Sequence, residues 1–352
     1  MEKFRLDGTK LYYHPEALAR FREGKVVYPL LIQISPVSVC NHACLFCYYH
    51  EVHKRHDYLD AERLIRLVDE VRELGTKALF FSGEGEPLLH KQLPEIIEYA
   101  GKAGLSLAVN TNATPLRGAV MRRILPHLEW IRISLNGVNA ADYARVHQTK
   151  EADFEHVLDN VAAAAAFKKS EGLPIAIGVQ FIYTGQSPED VVALCRRVRE
   201  TGADYFTVKQ FNPHELSPLT QMKFDVPPPE AFAGVEDCAT DSFQVTLRFG
   251  MVEADWKRPY KRCLALPFIT EIVSNGDVYS CGPHVGEPDY RYGSIYDMDF
   301  RTLWSHENRA KVEAHVQAIP DLDHVCMPHC RPDQINRMLW DLLHPPPHSN
   351  FI

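Results

Sequence analysis

The chain has 352 residues, 45% of them hydrophobic, and a formal net charge of −8. That length suits one large domain plus a small one, with ample apolar material for a core. The acidic balance argues against a nucleic-acid grip, no run of 18 apolar residues is present to span a membrane, and the opening M-E-K-F-R-L-D-G-T-K lacks the apolar segment of a signal peptide. Nine cysteines in a chain without export signals read as metal ligands rather than disulfides. A reducing, cytoplasmic compartment and a small-molecule substrate are expected.

The first 29 residues match no usable pattern. From about residue 30 to 212, strand and helix signals alternate. Strand-like runs are LIQISPV (31–37), ALFFSG (78–83), SLAVNTN (106–112), WIRISLN (130–136), IAIGVQFIY (175–183) and YFTVKQF (205–211). They are rich in β-branched and aromatic residues. Between them lie helical patterns, of which AERLIRLVDEVREL (61–74) puts Leu64, Leu67, Val68 and Val71 on one face. Repeated β-α units imply a parallel sheet with right-handed crossovers. Six strands are too few for the closed eight-stranded barrel, so an α/β fold with an open, partial (β/α)6 barrel is expected. Residues 213–262 are rich in Pro and polar residues and read as a linker or active-site cover. Residues 263–352 are expected to form a small C-terminal domain of β-hairpin plus helix.

Cys40, Cys44 and Cys47 follow the first strand-like run with spacing C-x3-C-x2-C. Three thiolates can hold three irons of a [4Fe–4S] cluster and leave the fourth iron open to another ligand. In parallel α/β folds, chemistry gathers at the C-terminal ends of strands, where this triplet stands. A zinc knuckle, whose cysteines more often come in C-x2-C pairs, and three unrelated loop cysteines are the alternatives.

With Phe46 in the middle, the triplet resembles the C-x3-C-x-Φ-C motif of the radical S-adenosylmethionine (SAM) superfamily. The resemblance implies a partial barrel, an open iron that chelates SAM, Phe46 against the adenine, and reductive cleavage of SAM to a 5′-deoxyadenosyl radical. A flavodoxin or ferredoxin is the implied reductant. Gly85, Glu86 and Pro87 resemble the end of the family's G-G-E-P motif, while Glu84 stands where a glycine is expected. The resemblance makes Glu86 the candidate for the methionine amine. Asn112 at the third strand tip, Ser134 at the fourth, and Arg145 beyond it are further candidates, with Arg145 and Ser134 implied for the SAM carboxylate. Asn136 replaces the family's usual aspartate. Gln180 and Lys209 point into the barrel or away from it, depending on a register that the sequence leaves open. Gln180 is a candidate cofactor contact and Lys209 a candidate substrate contact.

Cys263, Cys281, Cys326 and Cys330 form a second set. The turn dipeptide Asn275-Gly276 folds a hairpin that brings Cys281 back toward Cys263. Four thiolates close a metal site, and zinc suits such a tetrahedron. The arrangement resembles the SPASM/Twitch extension of radical SAM enzymes, in its shorter Twitch form, which implies one auxiliary [4Fe–4S] cluster and two clusters in all. His329 between the last pair is a lesser ligand candidate. Cys195 reads as a buried structural thiol. Cys238 is either inert or a hydrogen donor in the active site. Twitch resemblance implies oxidation of a hydroxyl-bearing carbon in a sugar, aminocyclitol or related metabolite. A redox-neutral epimerase, dehydratase or decarboxylase and a peptide-modifying maturase stay open, as does a non-catalytic electron carrier or sensor.

Overall fold

The computed structural model describes residues 8–49, 52–222, 224–249, 257–328 and 330–351. Each of the six strand-like runs forms a strand. These are β1 (Leu31–Ile34), β2 (Ala78–Phe81), β3 (Ser106–Thr111), β4 (Trp130–Ser134), β5 (Ala176–Tyr183) and β6 (Tyr205–Gln210). Four more follow: β7 (Gln244–Arg248), β8 (Ile269–Ile272), β9 (Asp277–Tyr279) and β10 (Arg291–Ser294). The sheet order is β10-β9-β8-β1-β2-β3-β4-β5-β6-β7.

The expected six parallel strands are extended at both ends. β7 adds to β6 and β8 adds to β1, both parallel. Segment 213–262, expected as a linker or cover, therefore also contributes a barrel strand. The expected hairpin is present, with β8 and β9 antiparallel and Gly276 at φ +88 in the turn. Its first arm is continuous with the main sheet and carries Ile269, Thr270, Glu271 and Ile272, all buried, as a strand covered on both faces requires.

The helix Ala61–Glu73 is capped by Asp60, which accepts from the Arg63 N–H at 2.7 Å. It buries Leu64, Leu67, Val68 and Val71, the face expected from the sequence. Each such side chain contributes about 1.5–3 kcal/mol of apolar burial. Along β1–β6 the side chains alternate. Ile32, Ile34, Leu79, Phe81, Val109, Ile131, Ile133, Val179, Phe206 and Val208 enter the core under the helices. The intervening residues, including Gln33, Phe80, Asn110, Arg132, Ser134, Gln180 and Lys209, face the inside of the curved sheet. The structure thus fixes the register that the sequence left open.

The N-terminal residues close one end of this barrel. Leu11 and Val27 pack with Phe268, Met338 and Leu339. The Trp304 indole N–H donates to Val27 O at 2.7 Å. Leu11 and Val27, in a stretch unread in the sequence, therefore tie the C-terminal helices to the barrel.

Candidate active site

The cysteine loop leaves β1 and lies on the end of the helix Ala140–His147. Ala43 N–H donates to His147 O and Leu45 N–H to Val146 O, at 3.1 and 2.9 Å. Leu45 O accepts from the Ser217 hydroxyl at 3.0 Å and from Leu219 N–H at 2.8 Å, which ties the chain after β6 to the loop. Burial pushes the Cys40 thiol up to about 12 and Cys47 up to about 11. Cys44 is raised well above its ordinary value, by burial first and then by Cys47 and Cys40. Three soft donors share one buried spot where a free thiolate is disfavoured, which is the chemistry of a cluster site that supplies its own positive charge.

His147, which the sequence reading passed over, orders this loop. Asn136 N–H donates to His147 Nε2 at 3.0 Å, and His147 Nδ1 lies 3.2 Å from Cys44 Sγ. Burial keeps the imidazole neutral. With Nε2 accepting, the proton sits on Nδ1 and points at the sulfur. His42, Cys44 and His147 place their donor atoms within 4.8 Å of one another, a set that would suit zinc by distance. That tautomer leaves His147 no lone pair for a metal. The Phe46 ring stands edge-on to His147, centroids 5.5 Å apart.

The β2 and β3 tips grip the loop from its other side. A β-carbon on Gly85 would come within 2.3 Å of Val39 O, so only glycine permits this approach. Glu86 N–H donates to Val39 O at 2.9 Å. The Glu86 carboxylate accepts from the Thr111 hydroxyl at 2.6 Å, Asn112 N–H at 2.7 Å and Leu88 N–H at 3.1 Å. Burial nevertheless pushes its carboxyl up to about 7. A carboxylate offers about four acceptor positions, so one is left for a ligand amine. Buried Pro87 opens the short turn Pro87–Leu89. Asn112 Nδ2 donates to Asn41 Oδ1 at 2.8 Å, which ties the β3 tip to the cysteine loop.

Glu84 has a different task. Its carboxylate accepts from Arg55 at 2.6 Å and from Ser274 N–H at 2.7 Å, joining the β2 tip to the hairpin turn. Ser134 lies inside the barrel in register with Gln180. Asn136 Oδ1 accepts from Ile182 N–H at 2.7 Å, while its buried Nδ2 has no partner among the described residues. That orphaned donor lies beside the cysteine loop, an available hydrogen bond for a bound molecule. Arg145 is exposed and paired with Asp142 at 2.6 Å. A carboxylate-binding role requires this pair to open, which costs at most about 1 kcal/mol for an exposed pair.

The four later cysteines also converge. Cys281 is held well above its ordinary value by burial first, then by Cys330, Cys263 and Cys326. Burial likewise pushes Cys330 up to about 12 and Cys326 up to about 11. Arg258 shapes the Cys326–Cys330 loop by donating to Leu322 O at 2.8 Å, Met327 O at 2.8 Å and Cys326 O at 3.2 Å. Asn336 Nδ2 donates to Cys263 Sγ at 3.5 Å. The two cysteine sets are physically linked. Tyr48, beside Cys47, stacks on His214 at 4.4 Å, and His214 Nε2 reaches Pro283 O at 3.2 Å, next to Cys281 in the chain fold. His329 lies outside the described residues.

A cavity of about 650 Å³ runs through the barrel interior. Phe80, Trp130, Arg132, Gln180, Lys209, Arg248, Cys330 and Arg331 are among its walls. Gln180 and Lys209 thus meet in one chamber, and Cys330 borders it. Cys238 does not. It is 3% exposed, packs with Cys195 in the apolar layer and donates to Gly234 O at 3.5 Å. The hydrogen-donor role considered for Cys238 is corrected by this placement, because the helix Ala233–Glu236 and the turn after it carry the thiol onto the helix Pro188–Glu200, behind the sheet.

Residues 34–198 match the model of the radical SAM superfamily. The chain is 27% identical over 191 residues to the Fe-coproporphyrin III synthase of Methanosarcina barkeri, covering 51% of this chain and 46% of that protein. It is 31% identical over 172 residues to the dTDP-4-amino-4,6-dideoxy-D-glucose ammonia-lyase of Streptomyces venezuelae, covering 47% of this chain and 34% of that one. The chain therefore spans less than half the length of these curated relatives. The crystal structure of Streptococcus suis SuiB bound to SAM superposes with a TM-score of 0.67 at 17% identity, over 93% of this chain and 76% of that one, a likeness of fold. With their barrel strands, their three-thiol loop and their glycine-bearing strand tip, residues 34–198 form the radical SAM domain that the family model matches. SAM and a [4Fe–4S] cluster are accordingly its cofactors. Among the described residues, no helix is long and apolar enough to cross a membrane.

Proposed function

We propose that this radical SAM enzyme oxidises a hydroxyl-bearing carbon of a sugar, aminocyclitol or related polar metabolite. The observation that carries this reading is the set of four half-buried thiols that converge on Cys281, one of which, Cys330, borders the substrate-sized cavity. Cys40, Cys44 and Cys47 hold the SAM-binding cluster, and Cys263, Cys281, Cys326 and Cys330 hold an auxiliary one. When bound and reduced by a flavodoxin or ferredoxin, the cluster and SAM supply the 5′-deoxyadenosyl radical that removes a hydrogen atom from the substrate. Gly85 and Asn112 fix the cysteine loop, Glu86 takes the SAM amine at its remaining acceptor position, and Phe46 bounds the adenine. Ser134, Gln180 and the Nδ2 of Asn136 donate to the bound molecules. Oxidation then needs an outlet for the second electron, and the four-thiol site, satisfied by protein ligands, fits that task better than substrate binding.

A redox-neutral elimination is the second reading, favoured by the match to an ammonia-lyase at 31% identity. An epimerase is disfavoured, since Cys238 lies behind the sheet and cannot return a hydrogen atom. The test is anaerobic turnover with a panel of sugars, aminocyclitols, nucleotide sugars and peptides. A product lighter by two hydrogens, formed with 5′-deoxyadenosine and lost in Cys281→Ala while SAM cleavage persists, supports oxidation. A product that has lost water or ammonia instead overturns it in favour of elimination.

A further inference from the structure

Glu271 is a buried carboxylate, 5% exposed, on a strand that otherwise carries Ile269, Thr270 and Ile272. It stands one residue before the end of β8, at the strand ends where chemistry gathers. It pairs in register with Gln33 of β1 and so faces the inside of the curved sheet. Its Oε1 accepts from Gln33 Nε2 at 2.9 Å and from the Tyr49 hydroxyl at 3.5 Å. Its Oε2 accepts no hydrogen bond among the described residues, which leaves acceptor positions open on a group that offers about four.

The carboxylate ends in a slot between the two cysteine sets. Tyr49 reaches it from the loop of Cys40, Cys44 and Cys47. On the other side, a β-carbon on Gly282, the residue after Cys281, would come within 2.4 Å of Oε2. Only glycine lets the backbone approach so closely. Burial pushes the Glu271 carboxyl up to about 7, against the pull of Arg331 on the cavity wall. Taking a carboxylate out of water is costly, and a glutamine would keep the Gln33 contact without that cost. The other buried carboxylates at the strand tips are committed. Glu84 is held by Arg55 and Ser274 N–H, and Glu86 by Thr111, Asn112 N–H and Leu88 N–H.

Oxidation of a hydroxyl-bearing carbon releases three things. A hydrogen atom leaves the carbon for the 5′-deoxyadenosyl radical and gives 5′-deoxyadenosine. The carbon radical then becomes a carbonyl by losing one electron and the hydroxyl proton. The electron passes to the oxidised auxiliary cluster of the four-thiol site. The proton needs a base within hydrogen-bond reach. We propose that Glu271 is that base, its Oε2 accepting the substrate hydroxyl beside both the site of hydrogen abstraction and the electron outlet. The proposal rests on the oxidation reading above and names the proton acceptor for it.

The test uses the anaerobically reconstituted full chain with SAM and three hydroxyl-bearing probes: 2-deoxystreptamine, D-glucosamine and UDP-glucose. Without reductant, infrared difference spectra are expected to show one of these probes shifting a carboxyl band that is absent from Glu271→Gln. With reductant, Glu271→Gln is expected to keep its iron and its 5′-deoxyadenosine while carbonyl product falls about a hundredfold, the low end of what a positioned base contributes. Glu271→Asp recovers part of that loss, and thermal melts confirm that both variants are folded. Carbonyl formation at the parental rate in Glu271→Gln overturns the proposal, as does a carboxyl band that no probe shifts. The two readings fail separately. Carbonyl product with a silent Glu271 band removes Glu271 and leaves oxidation standing. A shifted band with loss of water or ammonia instead removes oxidation and keeps the Glu271 contact with the substrate.

Discussion

His147 Nδ1 donates a hydrogen bond to Cys44 Sγ at 3.2 Å, and its tautomer is fixed by the Asn136 N–H that donates to Nε2. A donor aimed at a cluster sulfur favours the more electron-rich, reduced state and so raises the reduction potential. His147→Leu removes the donor and keeps an apolar contact for Phe46. A hydrogen bond worth about 1 kcal/mol corresponds to roughly 40 mV for one electron. The first cluster's midpoint potential, followed by electron paramagnetic resonance in a Cys281→Ala background, is expected to fall by about that amount. An unchanged potential with intact iron content would remove His147 from this role.

Gly85 is held by contact with backbone, which cannot step aside. Its missing β-carbon would come 2.3 Å from Val39 O and 2.7 Å from Val37 O. Gly85→Ala therefore pushes the β2 tip off the cysteine loop and breaks the Glu86 N–H to Val39 O bond. Reconstituted iron is expected to drop from about eight to about four per chain, since only the first cluster site is disturbed. Iron analysis together with a melting curve checks this. Full iron loading would show that the loop tolerates the shift.

Glu84 occupies the position where the family pattern has glycine, yet its carboxylate is buried between Arg55 and Ser274 N–H. Burial raises its carboxyl above the usual range, and the Ser274 hydrogen bonds and the Arg55 charge pull it back. Restoring the family residue with Glu84→Gly leaves a guanidinium and a backbone N–H without their acceptor. A loss of about 2–4 kcal/mol in chemical denaturation is expected, with SAM binding little changed. Tighter SAM binding without lost stability would contradict the structural role assigned here.

Much of this molecule was legible because its signals are local. Period-two runs marked β1 to β6, the face of Leu64, Leu67, Val68 and Val71 marked the helix Ala61–Glu73, and fixed spacing marked both cysteine sets. β7 was missed because it is five residues long and follows a Pro-rich stretch, where only Val245 and Leu247 mark an apolar face. Arg132, Lys209 and Arg248 sit on three different strands, so their convergence depends on registers that no single segment encodes. Cys238 failed for the opposite reason. Its sequence neighbourhood looked like an open linker, and only packing against the helix Pro188–Glu200 revealed a core position. His147 had a faint signal, a histidine closing a helix next to the fourth strand, but its partner Cys44 is 103 residues away.

Lys209, cross-strand from Arg248 on β7 and on the wall of the barrel cavity, makes a prediction about stability that needs no substrate. The Lys209 ammonium titrates at about 8 in the fold, against 10.5 as a free side chain. Between those values the unfolded chain binds a proton that the folded chain does not, so the fold gains stability as pH rises through that window. Below about pH 8 the full cost of the buried charge is present, and above about pH 10.5 it has gone. Lys209→Met removes the charge while keeping a flexible apolar stem against the cavity wall. The variant is expected to be more stable than the parent near pH 7 by on the order of 2 kcal/mol, discounted for water reaching the cavity. The advantage should shrink steadily between about pH 8 and pH 10. Denaturant titrations at a series of pH values measure it. A gain that is constant with pH would mean that the methionine merely packs better, and that Lys209 is not strained by its neighbours. A gain that fades as described ties the cost to the buried charge of Lys209, set by its burial first and by its cationic neighbours second.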